Sequence, residues 1–294
     1  MKPNLEISPA LLDNADAFTD DFFRRFTLRR APRPLQLSPE IAKDYLFPTF
    51  YGDVTCAMAV FLCPYERAER LMPHPRMKPV RMTRGRSLVL LSCYEYRQVL
   101  GVAPYNEIAM TVPVMVDPRV NVPVLPVLFG SFRAFGYYVF SMPVTSLENR
   151  VRGREIWGLP KEVQEVDIAE DGGDCVTTCR EVTGEPYFTL RVPMAGRPTL
   201  FDLSSNLYSR LGNRLLRSRT SLRATFNVRK NMGLLLRKGV APDREYLTLG
   251  DTPSGRALQE LEIDPCPFQL RFARGMTSVF DLPDTDFRPP FTFG

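Results

Sequence analysis

Histidine is nearly absent from this 294-residue chain: His74 is the only one. It lies in Met72-Pro73-His74-Pro75 and reads as an ordinary residue of a proline-flanked loop. Its isolation argues against serine–histidine triads, papain-like cysteine catalysis and most histidine-ligated metals, so no metal site is expected. Chemistry must then run on lysine, carboxylates, tyrosine or arginine. Long apolar runs are missing as well, and no stretch approaches the ~18–20 residues of a membrane helix. The six cysteines (Cys56, Cys63, Cys93, Cys175, Cys179, Cys266) show no framework spacing. Cys175 and Cys179 lack the second ligand pair that a zinc site needs. Nothing at the N-terminus resembles a signal peptide, so reduced thiols in a cytoplasmic protein are expected.

Lysine is the third scarcity. Of 38 cationic residues only six are lysines: Lys2, Lys43, Lys78, Lys161, Lys230 and Lys238. Arginine supplies the cationic surface, and the net charge is only +5. The densest basic cluster is Arg214, Arg217, Arg219, Arg223 and Arg229. It lacks interleaved aromatics or a known module, so a solvated or subunit-contacting face is expected there rather than a nucleic-acid site.

What the chain does contain is strand. A hydrophobic content of 44% beside 24% charge allows a full core. Val54–Cys63, Ser87–Tyr96, Ile108–Val116 and Gly136–Val144 are rich in Val, Leu and Tyr and read as strands. Residues 65–72 form a short helical stretch. Strands over 163–168, 174–181 and 187–192 follow, separated by Gly- and Pro-containing turns that indicate hairpins. Residues 222–228 and 268–280 supply late strands, while 201–216 read as a helix or a long loop. The proline-rich segment 117–132 is expected as a loop at a pocket mouth. The predicted fold is mainly β (α+β), a curved antiparallel sheet closing toward a barrel, with a few peripheral helices. Residues 1–45 read as a helical extension, capped by Ser8-Pro9, with Leu11, Leu12, Phe18, Phe22, Phe23 and Phe26 near helical spacing. Residues 46–294 form the barrel domain.

Within it, Gly153-Arg154-Glu155-Ile156-Trp157-Gly158-Leu159-Pro160-Lys161-Glu162 sets one lysine beside apolar bulk. Desolvation penalises an ammonium, and the neutral amine it favours is a nucleophile toward ketones. An unperturbed lysine titrates near ~10.4, so reaching 7 takes ~4.6 kcal/mol against the charged form, within the range that burial delivers. Glu162 opposes this if close: at ~5 Å and an effective dielectric of ~20 it favours the ammonium by ~3.3 kcal/mol. On a strand, however, residues 161 and 162 face opposite ways, and Glu162 is expected in solvent.

The decapeptide resembles the active-site signature of the acetoacetate decarboxylase superfamily, matching at Gly153, Arg154, Glu155, Pro160 and Lys161. A second element, Tyr105-Asn106-Glu107 followed by the apolar run 108–114, is similar to the family's carboxylate-bearing strand. The resemblance spans about residues 45–285 and implies a cone-like β-barrel. It makes Lys161 the Schiff-base lysine and Glu107 the pocket carboxylate. Met142 matches a pocket methionine. Tyr105, Trp157 and Leu159 are candidate substrate-lining residues, and Glu162 is a modulator of the lysine. Glu155 reads as structural, paired with Arg154 or Arg152. Two departures stand out: Glu162 replaces the family's second lysine, and no arginine lies between Phe50 and Phe61. The implied function is a cofactor-independent Schiff-base lyase acting on a small β-keto or α-keto acid, in a cytoplasmic homo-oligomer. Alternatives are an aldolase–dehydratase on pyruvate-type substrates, a non-catalytic small-ligand binding protein, and an assembly protein using the arginine-rich face.

Overall fold

The computed structural model describes residues 1–128 and 134–293. Eleven principal strands follow the order β1 (Thr49–Pro64), β2 (Arg86–Val99), β3 (Tyr105–Val116), β4 (Phe135–Val144), β5 (Lys161–Val163), β6 (Glu165–Asp171), β7 (Asp174–Arg180), β8 (Pro186–Pro193), β9 (Arg197–Leu211), β10 (Arg214–Lys230) and β11 (Gln269–Pro283). Helix α1 (Tyr65–Arg70) follows β1, α2 (Leu147–Trp157) lies between β4 and β5, and α3 (Pro253–Gln259) precedes β11.

Seven strands close a barrel in the order β4-β9-β10-β11-β1-β2-β3, with β3 returning to β4. The pairings are antiparallel except β4 with β9, where Leu207 meets Tyr137 and Tyr208 meets Tyr138 in parallel. Strand β5 adds to the outer edge of β4 in parallel and sets Lys161 level with Met142. A second antiparallel sheet, β6-β7-β8 with Leu247–Leu249, covers one flank of the barrel.

That layering explains the sequence pattern. Alternate residues of β1 point to two separate cores. Val54, Cys56, Met58, Val60 and Leu62 face the barrel interior, while Ala57, Ala59, Phe61 and Cys63 pack toward Val166, Cys179, Phe188 and Leu190 of the covering sheet. With both faces covered, all twelve residues of β3 are buried. Such strands read as continuous apolar runs instead of alternating ones.

Three expectations are corrected. The N-terminal helix is absent: residues 1–45 contain 3-10 turns at Ala15–Ala17 and Phe23–Arg25 and short extended pairs such as Leu35–Gln36 with Ala42–Lys43. A local side-chain bond and a tertiary one compete with helix there. Asp20 Oδ1 accepts from Phe22 N at 2.7 Å, and Asn14 Oδ1 from Gly101 N at 2.9 Å. The phenylalanines leave helical register to reach one site, where Phe18, Phe22 and Phe23 pack with Phe50, Leu100 and Val279.

The segment 201–216 is neither helix nor loop. β9 and β10 form a long hairpin paired from Arg197 with Val228 to Leu211 with Arg214. The helix-like spacing of Leu200, Leu203, Leu207 and Leu211 masks this, whereas Gly212-Asn213, with Gly212 at φ 58°, is the hairpin turn. The expected pocket-mouth loop, 117–132, contributes none of its described residues to the interior cavity, and its positions 129–132 lie outside the described residues. The basic residues 214, 219, 223 and 229 are exposed along β10. No described helix is long and apolar enough to cross a membrane.

Phe23 stacks on Phe50 at 4.8 Å and is 4% exposed. Phe23→Ala is therefore expected to cost ~3 kcal/mol or more in urea unfolding. A loss below ~1 kcal/mol would mean that the segment is not part of the packed structure.

Candidate active site

Helix α2 and strand β5 build the site between them. Ser146 caps the helix, accepting from Asn149 N at 3.2 Å. Gly158 ends it in the left-handed region at φ 60°, where an added Cβ would stand 2.2 Å from Arg210 O. Leu159 N then donates to Gly153 O at 3.0 Å, turning the chain back along the helix into β5. The glycine at 153 has its own reason. A Cβ there would lie 2.4 Å from Lys161 Cδ and 2.7 Å from Cε, so the lysine stem crosses the helix over a bare backbone. Arg154 Nε binds Lys161 O at 2.8 Å and fixes the strand at the lysine itself.

Lys161 enters the barrel and donates to Glu107 Oε2 at 2.5 Å. Both residues are 6% exposed. Tyr96 OH donates to Glu107 Oε1 at 3.3 Å, so the carboxylate is held from two sides. Glu107 sits on β3 opposite Tyr94 of β2 and Val144 of β4. The adjacent Asn106 ties this strand to β6 through Nδ2 to Val166 O at 3.0 Å.

The pair opens onto a cavity of about 110 Å³. It is small beside the ~300–1,000 Å³ of pockets for drug-sized molecules, and so suits a compact ligand. Met142, Trp157 and Leu159 line it together with Tyr51, Tyr94 and Arg152. Trp157 is fixed by Nε1 to Asp281 O at 2.8 Å and stacks on Phe280 at 5.0 Å. Tyr105 stands behind this wall: the Lys161 ammonium lies 5.6 Å from its ring centroid, but the ring does not line the cavity.

Burial lowers the Lys161 pKa from its ordinary value of 10.5. The Glu107 carboxylate opposes that shift, and the Arg152 guanidinium adds to it. Desolvation is the largest effect, so the neutral amine is easier to reach than in a free lysine although the group holds an ion pair. Burial also raises the phenol of Tyr51 to about 12 and those of Tyr96 and Tyr105 well above their ordinary value, so these rings act as neutral walls.

Two expectations about charge are revised. Glu162 points outward, as expected for a strand, and pairs there with Arg154 and with Arg150 at 3.6 Å. Its carboxylate is therefore paired in solvent, away from the cavity that Lys161 enters. Glu155 is exposed and makes no ion pair among the described residues, while Arg152 turns inward. Sequence reasoning missed Arg152 as a pocket residue by assigning it to Glu155. The available signal was its place on α2: three residues beyond Asn149, it shares that residue's inward face.

A β-barrel holding a buried lysine–carboxylate pair in a small aromatic cavity is the class of protein that fold and site define. The sequence matches the family described as acetoacetate decarboxylase over residues 32–225, and the chain belongs to that family. Acetoacetate decarboxylase from Legionella pneumophila subsp. pneumophila str. Philadelphia 1 superposes with TM-score 0.53 at 13% identity, covering 86% of this chain and 90% of its own. The enduracididine biosynthesis enzyme MppR, solved in complex with pyruvate, gives TM-score 0.53 at 11% identity, covering 80% of this chain and 90% of its own. At these identities the likeness is one of fold. No curated protein matches the sequence.

Gly153→Ala is expected to leave the fold intact, since alanine favours helix, while displacing Lys161 from Glu107. Amine reactivity, read as the rate of borohydride capture of a bound ketone, should fall about tenfold or more, a loss of ~1.4 kcal/mol. Glu162→Gln should leave both that rate and its pH dependence unchanged, because its ion pair is exposed. A shifted pH profile in Glu162→Gln would overturn the outward assignment.

Proposed function

We propose that this protein is a Schiff-base lyase acting on a small keto acid, with Lys161 as the nucleophile. The observation that carries this reading is a buried lysine amine, lowered in pKa, bonded to a single carboxylate in a cavity sized for a compact molecule. Membership of the acetoacetate decarboxylase family supports it.

The chemistry follows from the pair. Passing the ammonium proton to Glu107 frees the Lys161 lone pair, which attacks the ketone carbon. The carbinolamine hydroxyl leaves as water after taking the proton back from Glu107, and a protonated imine remains. In a β-keto acid the bond to the carboxylate then breaks. Its electrons move into the iminium, giving CO2 and an enamine. Protonation of the enamine carbon and hydrolysis release the ketone and restore the amine. Loss of CO2 discharges the carboxylate and the iminium together, and the aromatic and aliphatic part of the lining favours the neutral products.

A second reading is an aldolase–dehydratase on pyruvate-type substrates, in which the enamine attacks an aldehyde instead. It is favoured by the lack of an arginine between Phe50 and Phe61, the second departure from the family pattern, and by the likeness to MppR, which was solved with pyruvate. A non-catalytic binding protein would need the cavity but not the amine.

Borohydride trapping with acetoacetate, pyruvate and acetopyruvate, read by intact mass, separates these readings. A ligand-sized adduct is expected in wild type and none in Lys161→Ala or Lys161→Arg, since arginine stays protonated. Absence of an adduct from all three acids in wild type would leave the binding-protein reading.

A further inference from the structure

Four cationic side chains are buried in the described structure: Lys43, Arg86, Arg152 and Lys161. Three have a carboxylate. Lys43 meets Glu148 at 2.8 Å, Arg86 meets Asp264 at 3.3 Å, and Lys161 meets Glu107. Arg152, at 2% exposure the most buried of the four, makes no ion pair among the described residues. Its Nη1 donates to Asn149 Oδ1 at 3.0 Å and its Nη2 to Thr49 Oγ1 at 3.2 Å, both neutral acceptors. Its Nε is buried without a partner. The guanidinium carbon lies 4.3 Å from the Tyr45 ring centroid and 5.9 Å from that of Trp157, which offsets only part of the lost hydration.

A buried cation without an anion is strongly destabilising, and an unsatisfied buried donor adds to that. Here the uncompensated charge borders the cavity into which Lys161 opens. Lys161 has the Glu107 carboxylate as its partner, so the cationic side chain of the site that lacks one is Arg152. We infer that Arg152 is the substrate-carboxylate anchor of this site, a cation supplied to the cavity from helix α2. The inference rests on the keto-acid reading of Lys161 and names the part of the substrate that Arg152 holds. A monocarboxylate with its ketone within a few bonds matches the charge and the cavity size. A substrate without a carboxylate leaves the guanidinium uncompensated.

The test compares capture of pyruvate with capture of its uncharged methyl ester by borohydride trapping in wild type, Arg152→Gln and Arg152→Lys. Both ligands meet the same amine, so any change in its basicity cancels in the ratio of their half-saturating concentrations. Wild type should prefer the acid by about tenfold or more, the scale of charge-assisted hydrogen bonds. Arg152→Gln should abolish the preference, and Arg152→Lys should keep part of it. Calorimetry with propionate, a carboxylate without a ketone, gives a readout independent of imine formation. Propionate should bind wild type and bind Arg152→Gln about tenfold more weakly or not at all.

An unchanged preference in Arg152→Gln, or propionate bound equally by both proteins or by neither, overturns the anchor. Trapping that fails in wild type while propionate binding still depends on Arg152 overturns the imine reading and leaves the anchor standing. If Arg152→Gln does not fold by near-ultraviolet circular dichroism, Arg152→Lys decides, and retention of the full wild-type preference there overturns the anchor.

Discussion

The ammonium of Lys161 is held out of water against its electrostatic preference, and much of the surrounding architecture follows from that constraint. Removing such a charge from solvent costs several kcal/mol even after relaxation, and one carboxylate at hydrogen-bond distance returns only part of it. Burial and Glu107 therefore pull the amine in opposite directions, and burial is the larger effect. The local structure keeps both effects in place. Gly153 makes room for the lysine stem, Gly158 turns the helix into β5, and Arg154 clamps the strand backbone. Strand β3, on the other side of β4 from β5, presents Glu107 to the lysine, and Tyr96 keeps its second oxygen occupied.

Cation placement sorts the surface from the site. Arg150 and Arg154 pair with Glu162 on the outside, where solvent screens them and their contribution is small. Arg152 lies between them in sequence and points the other way, because two residues along a helix move a side chain by more than half a turn. Three arginines on one short helix thus do different work: two fasten the outer edge of β5, and one charges the cavity. Glu162, where the family signature has a second lysine, faces outward, so the cavity's arginine charge comes from α2 alone.

How much of this the sequence discloses depends on where side chains meet. The barrel strands were legible because Val, Leu and Tyr concentrate in runs buried on both faces, and Lys161 and Glu107 stand in recognisable motifs. The outward turn of Glu162 followed from strand alternation alone. Arg152 was not legible in the same way: helix position alone does not say which arginine of Arg150, Arg152 and Arg154 meets the cavity until Trp157 and Asn149 are placed. The N-terminal phenylalanines misled because near-helical spacing also arises when aromatics converge on one patch through 3-10 turns. Hairpin β9–β10 misled for the opposite reason. Its leucines are spaced as on a helix, several of them in solvent, with Leu200 64% exposed, and the signal lay in the two-residue turn instead.

The measurement closest to the centre of this account is the titration of the Lys161 amine itself. With only six lysines in the chain, selective isotope labelling gives a spectrum in which Lys161 is assigned by its loss in Lys161→Ala. The account predicts a wild-type midpoint below the ordinary 10.5, because burial outweighs Glu107. It predicts a still lower midpoint in Glu107→Gln, because the group that favours the ammonium is gone. A wild-type midpoint at or above 10.5, or a midpoint that rises in Glu107→Gln, would contradict it.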